Sequence, residues 1–169
     1  MKNKRIIIIF VVCISMSLTT SAQKKVDKKS NEDMTSWKYE MECAGTGIQG
    51  TYLVKVWTVS KNRSKAIEQC TKCAVHGVIF KGFSDHSGKC TGQKPLSNSP
   101  SLESEKKDFF DRFFAEDGDY LKYVHNTDAV EVFKIKEGFK VGSIVSVSKD
   151  LLRSDLEKAG ILKNLGSGF

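Results

Sequence analysis

Residues 37–59 read WKYEMECAGTGIQGTYLVKVWTV, and the alternation within them decides the fold class. Trp37 to Ala44 alternates well enough for a strand. From Thr51 to Val59 the alternation is strict, with Tyr52, Val54, Val56 and Thr58 on one side and Leu53, Lys55, Trp57 and Val59 on the other. β-branched and aromatic residues dominate this second run, and such side chains suit a pleated, half-buried surface. Gly45 to Gly50 joins the two runs, which predicts an antiparallel hairpin with a loop longer than the two-residue ideal. The same loop spells G-x-G-x-x-G, the dinucleotide fingerprint. That motif holds a pyrophosphate on the amides of a helix that starts directly after the glycines. Here a strand follows from Thr51, so the glycines read as a turn and no cofactor is expected.

Working outward toward the C-terminus, Asn62 or Ser64 can cap a helix in which Ala66, Ile67, Cys70, Ala74 and Val78 recur at helical spacing, with Cys73 beside them. The spacing predicts an amphipathic helix of about four turns whose narrow, small-residue face lies close on a sheet. Val78-Ile79-Phe80 reads as already leaving that helix. Ser84 to Ser101, rich in Gly, Ser and Lys and holding both prolines, reads as a surface loop. A second helix is expected from Ser101 or Ser104. In it Phe109, Phe110, Phe113 and Phe114 place two apolar pairs one turn apart, on a face that is buried or lies at an interface. Gly118 breaks this helix and Tyr120 to Val124 resumes it. Val130 to Ile135 and Lys140 to Ser148 read as two more strands around a Glu137-Gly138 turn. Ser148 then caps a last helix with Leu152, Leu156 and Ala159 inward and Gly160 as its stop. The resulting fold class is α+β: an antiparallel sheet of about four strands with two to three helices packed on one face.

Five cysteines occur, at positions 13, 43, 70, 73 and 90. Cys70-Thr71-Lys72-Cys73 matches C-x-x-C, which in an oxidising compartment suggests a thiol–disulfide oxidoreductase. An active thiolate needs the positive end of a helix dipole, whereas Cys70 falls about two turns into the predicted helix. A bond between Cys70 and Cys73 inside a regular helix would be strained. Cys43, at a strand end, and Cys90, in a Gly-rich loop, have the freedom to meet. The reading is therefore a Cys43–Cys90 disulfide, with Cys70 and Cys73 as thiols packed against the sheet; Cys43 with Cys70 or Cys73 is the alternative if the helix crosses the first strand's end. Structural zinc sites present two close-spaced cysteine pairs. Only one close pair exists here, and His76, His86 and His125 are scattered, so no metal site is expected. Asp117, Gly118 and Asp119 hint at calcium, but no twelve-residue acidic loop follows. No nucleophile elbow and no paired carboxylates declare themselves, so no catalytic residue is assigned.

Upstream of Trp37, Lys2, Lys4 and Arg5 precede an unbroken apolar run from Ile6 to Ile14, and Thr20-Ser21-Ala22 supplies small residues. This is the pattern of a cleavable signal peptide over residues 1–22, cut before Gln23. The run is too short to span a bilayer, which takes about 20 residues, so no transmembrane segment is expected in the mature chain. Cys13 sits inside the apolar run after Val12, which is not a lipidation site. Residues 23–36, polar and charged, read as a flexible tail, and residues 37–169 as one domain. The chain carries a net charge of +7. The signal segment accounts for three of these charges and the tail, with four lysines against Asp27, Glu32 and Asp33, for one more, so the domain keeps +3. A mildly positive surface without a clustered stripe is not a nucleic-acid footprint, and no nucleic-acid partner is expected.

Ser21-Ala22-Gln23 resembles the cleavage point of exported proteins of Bacteroidota. Tyr39–Phe83, including ECAGTGIQGTYLVKVW and AVHGVIFKG, together with GKCTGQKPL, resembles an uncharacterised envelope family of that phylum. More distantly, a strand feeding an alanine-spaced helix that ends in Val-Ile-Phe is similar to the N-terminal domain of flagellar assembly protein T and related surface lipoproteins, though the lipidation motif of the latter is missing. This last, architectural resemblance implies an assembly or binding module without catalytic residues. Three expectations follow. The first is a non-catalytic interaction module, periplasmic or envelope-associated, whose partner is an envelope protein or cell-surface component. The second is a thiol-redox protein using Cys70 and Cys73, and the third is a secreted small-ligand binder using the Phe-rich helix.

Overall fold

A computed structural model describes residues 37–85, 88 and 90–164, with the side chains of residues 126–128 excepted. The expected signal peptide, the tail, His86 and Leu165 lie outside the described residues.

Four antiparallel strands form one sheet in the order β1-β2-β4-β3. They are β1 (Tyr39–Gly45), β2 (Tyr52–Ser60), β3 (Val124–Ile135) and β4 (Gly138–Val147). The expected α+β class and antiparallel sheet are what the structure has. The hairpin β1–β2 pairs Tyr39 with Thr58 and Cys43 with Val54, and β2 pairs along its whole length with β4. β3 is longer than its sequence suggested, beginning at Val124 instead of Val130. A register shift between Asn126 and Val130 interrupts its alternation, and that irregularity hid the first half of the strand.

Helix α1 (Arg63–Phe80) lies across one face of the sheet, against β2 and β4. Asn62 caps it, its side-chain oxygen accepting from the Ser64 and Lys65 amides. The helix does not end before Val78 as expected but runs through Phe80. Gly82, at φ +68°, then turns the chain and donates its N–H to the Gly77 carbonyl at 2.8 Å, a termination that glycine adopts without a Cβ penalty. The amphipathic expectation also needs correcting, because every residue from Cys70 to Ile79 is buried, including Thr71, Lys72 and His76. A second layer causes this. α2 (Leu102–Glu105) and α3 (Lys107–Phe113), which replace the single helix expected, bring Phe110 against Phe80 (ring centroids 5.0 Å) and Phe114 against His76 (5.9 Å). A 3-10 turn over Asp119–Tyr123 continues this layer, with Phe113 stacked on Tyr123 at 6.0 Å.

The last helix, α4 (Lys149–Lys158), buries Leu152 and Leu156, whereas Ala159, expected inward, is exposed. Ser148 stands at its N-cap position without a side-chain cap bond.

Candidate functional site

The cysteines divide as the strand, loop and helix positions dictate. Cys43 and Cys90 form a disulfide with Cα atoms 6.4 Å apart, across 47 residues of chain. The same loop is held by main-chain bonds: the Cys43 N–H donates to Ser84 O at 3.4 Å, and Phe83 and Gln93 exchange bonds of 2.9 and 2.8 Å. Cys70 and Cys73 are free thiols, 0% and 6% exposed. Thr58 Oγ1 donates to the Ala66 carbonyl at 2.9 Å and lies 3.3 Å from Cys70 Sγ, which itself approaches Val56 O at 3.4 Å. Burial pushes the Cys70 thiol up and the Cys73 thiol up to about 12, the latter also raised by Cys70. A redox nucleophile needs the opposite, a stabilised thiolate.

The sequence reading did not anticipate a polar chain through the helical layer. The Tyr39 hydroxyl, from β1, donates to His76 Nδ1 at 2.7 Å, and His76 Nε2 lies 3.3 Å from the Glu103 carboxylate on α2. These partners select one tautomer, with Nδ1 accepting and Nε2–H donating. His76 is 2% exposed, and its surroundings are the Tyr39, Phe80 and Phe114 rings. Burial, with a smaller contribution from the Lys81 ammonium, holds the imidazole down to about 3. The Glu103 carboxylate at 3.3 Å favours the charged ring, but desolvation outweighs it. Burial and the nearby Cys73 and Glu103 push the Tyr39 phenol far up. The arrangement has the order of a carboxylate–histidine–hydroxyl relay, with burial disfavouring the imidazolium at its centre and the phenolate at its Tyr39 end. The imidazole is a weak base and the phenol stays protonated, so the chain ties α2 to α1 and β1.

The Phe-rich segment is core. Phe110, Phe113 and Phe114 are 3%, 4% and 7% exposed, leaving Phe109 partly open. At the end of α3 a shallow groove of about 630 Å³ is lined by Phe109, Arg112, Phe113 and the Ala115–Asp119 turn. Asp117 and Asp119, read as a helix stop and restart, flank Gly118, and Asp119 opens the 3-10 turn. Among the described residues no group of three His, Cys, Asp or Glu side chains could hold a metal ion, and no helix is long and apolar enough to cross a membrane.

The sheet face opposite α1 carries the other concentration of chemistry. Trp57 lies over Gly142, close enough that a Cβ there would come within 2.5 Å of the ring. Its Nε1–H donates to Glu42 at 3.3 Å. The Lys55 and Lys140 ammoniums stand 4.5 and 5.2 Å from the ring centroid. Lys55 also pairs with Glu131 at 2.6 Å, and Lys140 with Glu40 at 3.5 Å. Phe133 (51% exposed) approaches Trp57 at 6.0 Å, and Val59 is 49% exposed. The alternation of β2 made half of this face legible; the contributions of β3 and β4 depend on register.

No family model matches the chain, and no curated protein and no solved structure matches it either.

Proposed function

We propose that this chain is an exported, non-catalytic interaction module, periplasmic or outer-envelope associated, that binds an envelope protein or cell-surface component through the sheet face opposite α1. The observation that carries this reading is that face itself: Trp57 braced on Gly142 and ringed by Lys55, Lys140 and Glu42, with Phe133 and Val59 half exposed beside it. A rigid, partly exposed aromatic anchor surrounded by charges is the composition of protein-binding surfaces, where tryptophan is enriched among the residues that carry affinity. The buried titratable groups support the non-catalytic half of the reading. Cys73 is held protonated and His76 neutral by burial, and catalytic groups are tuned toward the operating pH rather than away from it.

The test is affinity capture from native envelope with the wild-type protein, Trp57→Ala and His76→Gln. The expected result is a component retained by wild type and His76→Gln and lost with Trp57→Ala. Retention by all three forms overturns the assignment of the face, and capture of nothing overturns the module. The non-catalytic half has its own measurement, alkylation of the native protein near pH 8. Cys73 should react only on unfolding, and labelling at the rate of an exposed thiol would return the redox reading.

A further inference from the structure

The two edges of the sheet are treated differently by the chain. At the β1 edge the molecule supplies its own cover: Glu42 bridges to Ser84, the Cys43 N–H donates to Ser84 O, and the disulfide to Cys90 locks the loop in place. At the β3 edge, β4 pairs with one side of Val130–Ile135, and among the described residues no backbone bond is made on the other. An edge of this kind presents a row of N–H and C=O groups shaped to accept another extended strand. The register shift that would blunt it lies between Asn126 and Val130, ahead of this stretch. No proline interrupts it, and its sequence, VEVFKI, is dominated by strand-forming residues.

We propose that β3 pairs antiparallel with β3 of a second copy of this chain, about a two-fold axis at Phe133, joining the two sheets into one. Residues directly opposite in an antiparallel pair point to the same face. A two-fold at Phe133 satisfies that rule, setting Phe133 against the partner's Phe133. Glu131 then meets the partner's Ile135, and Val132 meets the partner's Lys134. No charge meets its like, because Glu131 and Lys134 fall on opposite faces and cancel within each strand. A two-fold contact must be complementary to itself, and this segment, with zero net charge and an apolar centre, meets that condition. The central pair also accounts for Phe133, half exposed in the single chain, by turning it into a cross-strand aromatic pair continuous with Trp57.

Sedimentation velocity on the purified mature protein with its disulfide intact, from about 1 μM to about 500 μM, should show a reversible dimer. Phe133→Lys places two ammoniums opposite each other and should weaken it at least tenfold. Hydrogen exchange of the wild type at the two ends of that range gives a reading that needs no variant: the amides of Val130–Ile135 should slow at high concentration while those of β1 do not change. A monomer throughout overturns the proposal, as does a dimer whose affinity Phe133→Lys leaves unchanged and whose protection falls elsewhere. A monomer leaves the proposed partner-binding face standing, since that rests on capture through Trp57.

Discussion

Beneath α1, the sheet presents Val54, Val56, Val141 and Val145, each fully buried, with Thr58 and Ser143 among them at 3% and 1% exposure. One residue along the same strands, on the opposite face, stand Lys55, Trp57, Lys140 and Glu131. The two faces share a backbone and are stabilised by different means. The covered face removes apolar surface from water at about 25 cal/mol per Å², and the Thr58 hydroxyl within it donates to the Ala66 carbonyl. The other face is held by ion pairs and ring–cation contacts, each worth about 0–1 kcal/mol where solvent reaches them. Substitutions beneath α1 should therefore act on folding, while breaking the ion pairs of the opposite face should cost little.

The largest expected effect on the covered side comes from the disulfide, because Cys43 is a β1 residue paired with Val54 on that face. Closing a loop across 47 residues restricts the unfolded chain by about 4 kcal/mol in the loop-entropy model. Replacing both Cys43 and Cys90 by alanine should lower the unfolding free energy by about 2–5 kcal/mol in urea titration. A loss under about 1 kcal/mol would mean that the main-chain bonds at Ser84, Phe83 and Gln93 hold the loop without it, and that the disulfide adds little to the covered side.

The comparison also marks how far the sequence was readable. The strict alternation of Thr51–Val59 placed Val54, Val56 and Thr58 on one face correctly because the period of a strand is local. The Cys43–Cys90 pairing was legible for a related reason: it needs only a strand end and a pliable loop. In α1, the amphipathic pattern accounts for one narrow face on the sheet and leaves the burial of Thr71, Lys72 and His76 unannounced, because nothing within a few turns signals a second layer. What buries them is the Phe-rich segment. His76 meets Glu103 across 27 residues of chain, and the helical pattern carries no signal at that range. A signal did exist in the phenylalanine pairs at 109–110 and 113–114, which demanded a partner without naming it. The first half of β3 was hidden for the opposite reason, a local irregularity that erased its alternation.

An intermediate effect should come from the pH response of the covered side. His76 is held down to about 3 in the folded chain against about 6.5 when exposed. Between those values the unfolded state binds the proton and the folded state does not. Stability from this group is therefore fully present above pH 6.5 and is lost as pH falls toward 3, at no more than about 1.4 kcal/mol per pH unit. The charged groups facing the ring, Lys81 and Glu103, oppose one another and leave burial in control. His76→Gln retains a donor and an acceptor for Tyr39 and Glu103, so the variant's stability should fall less steeply than wild type between pH 6.5 and 4. Parallel slopes in chemical denaturation would show that His76 takes up a proton without unfolding, and that the second layer opens more readily than its packing indicates.

The smallest expected effect is on the opposite face, and it sharpens the contrast most directly. Lys55 Nζ lies 2.6 Å from Glu131 with the two side chains 21% and 52% exposed, and the same ammonium stands 4.5 Å from the Trp57 centroid. Geometry this close looks structural, but Glu131 remains hydrated and both ends lose side-chain freedom in pairing. A double-mutant cycle of Lys55→Met and Glu131→Gln should return a coupling below about 1 kcal/mol. That coupling should shrink further at 1 M salt, where the screening length falls to about 3 Å. Lys55→Met on its own preserves the aliphatic stem over Trp57 and so separates charge from packing. A coupling above about 2 kcal/mol, insensitive to salt, would mean that this face is desolvated in the free protein. It would then be part of the folding core, and the distinction drawn between the two sides of the sheet would fail.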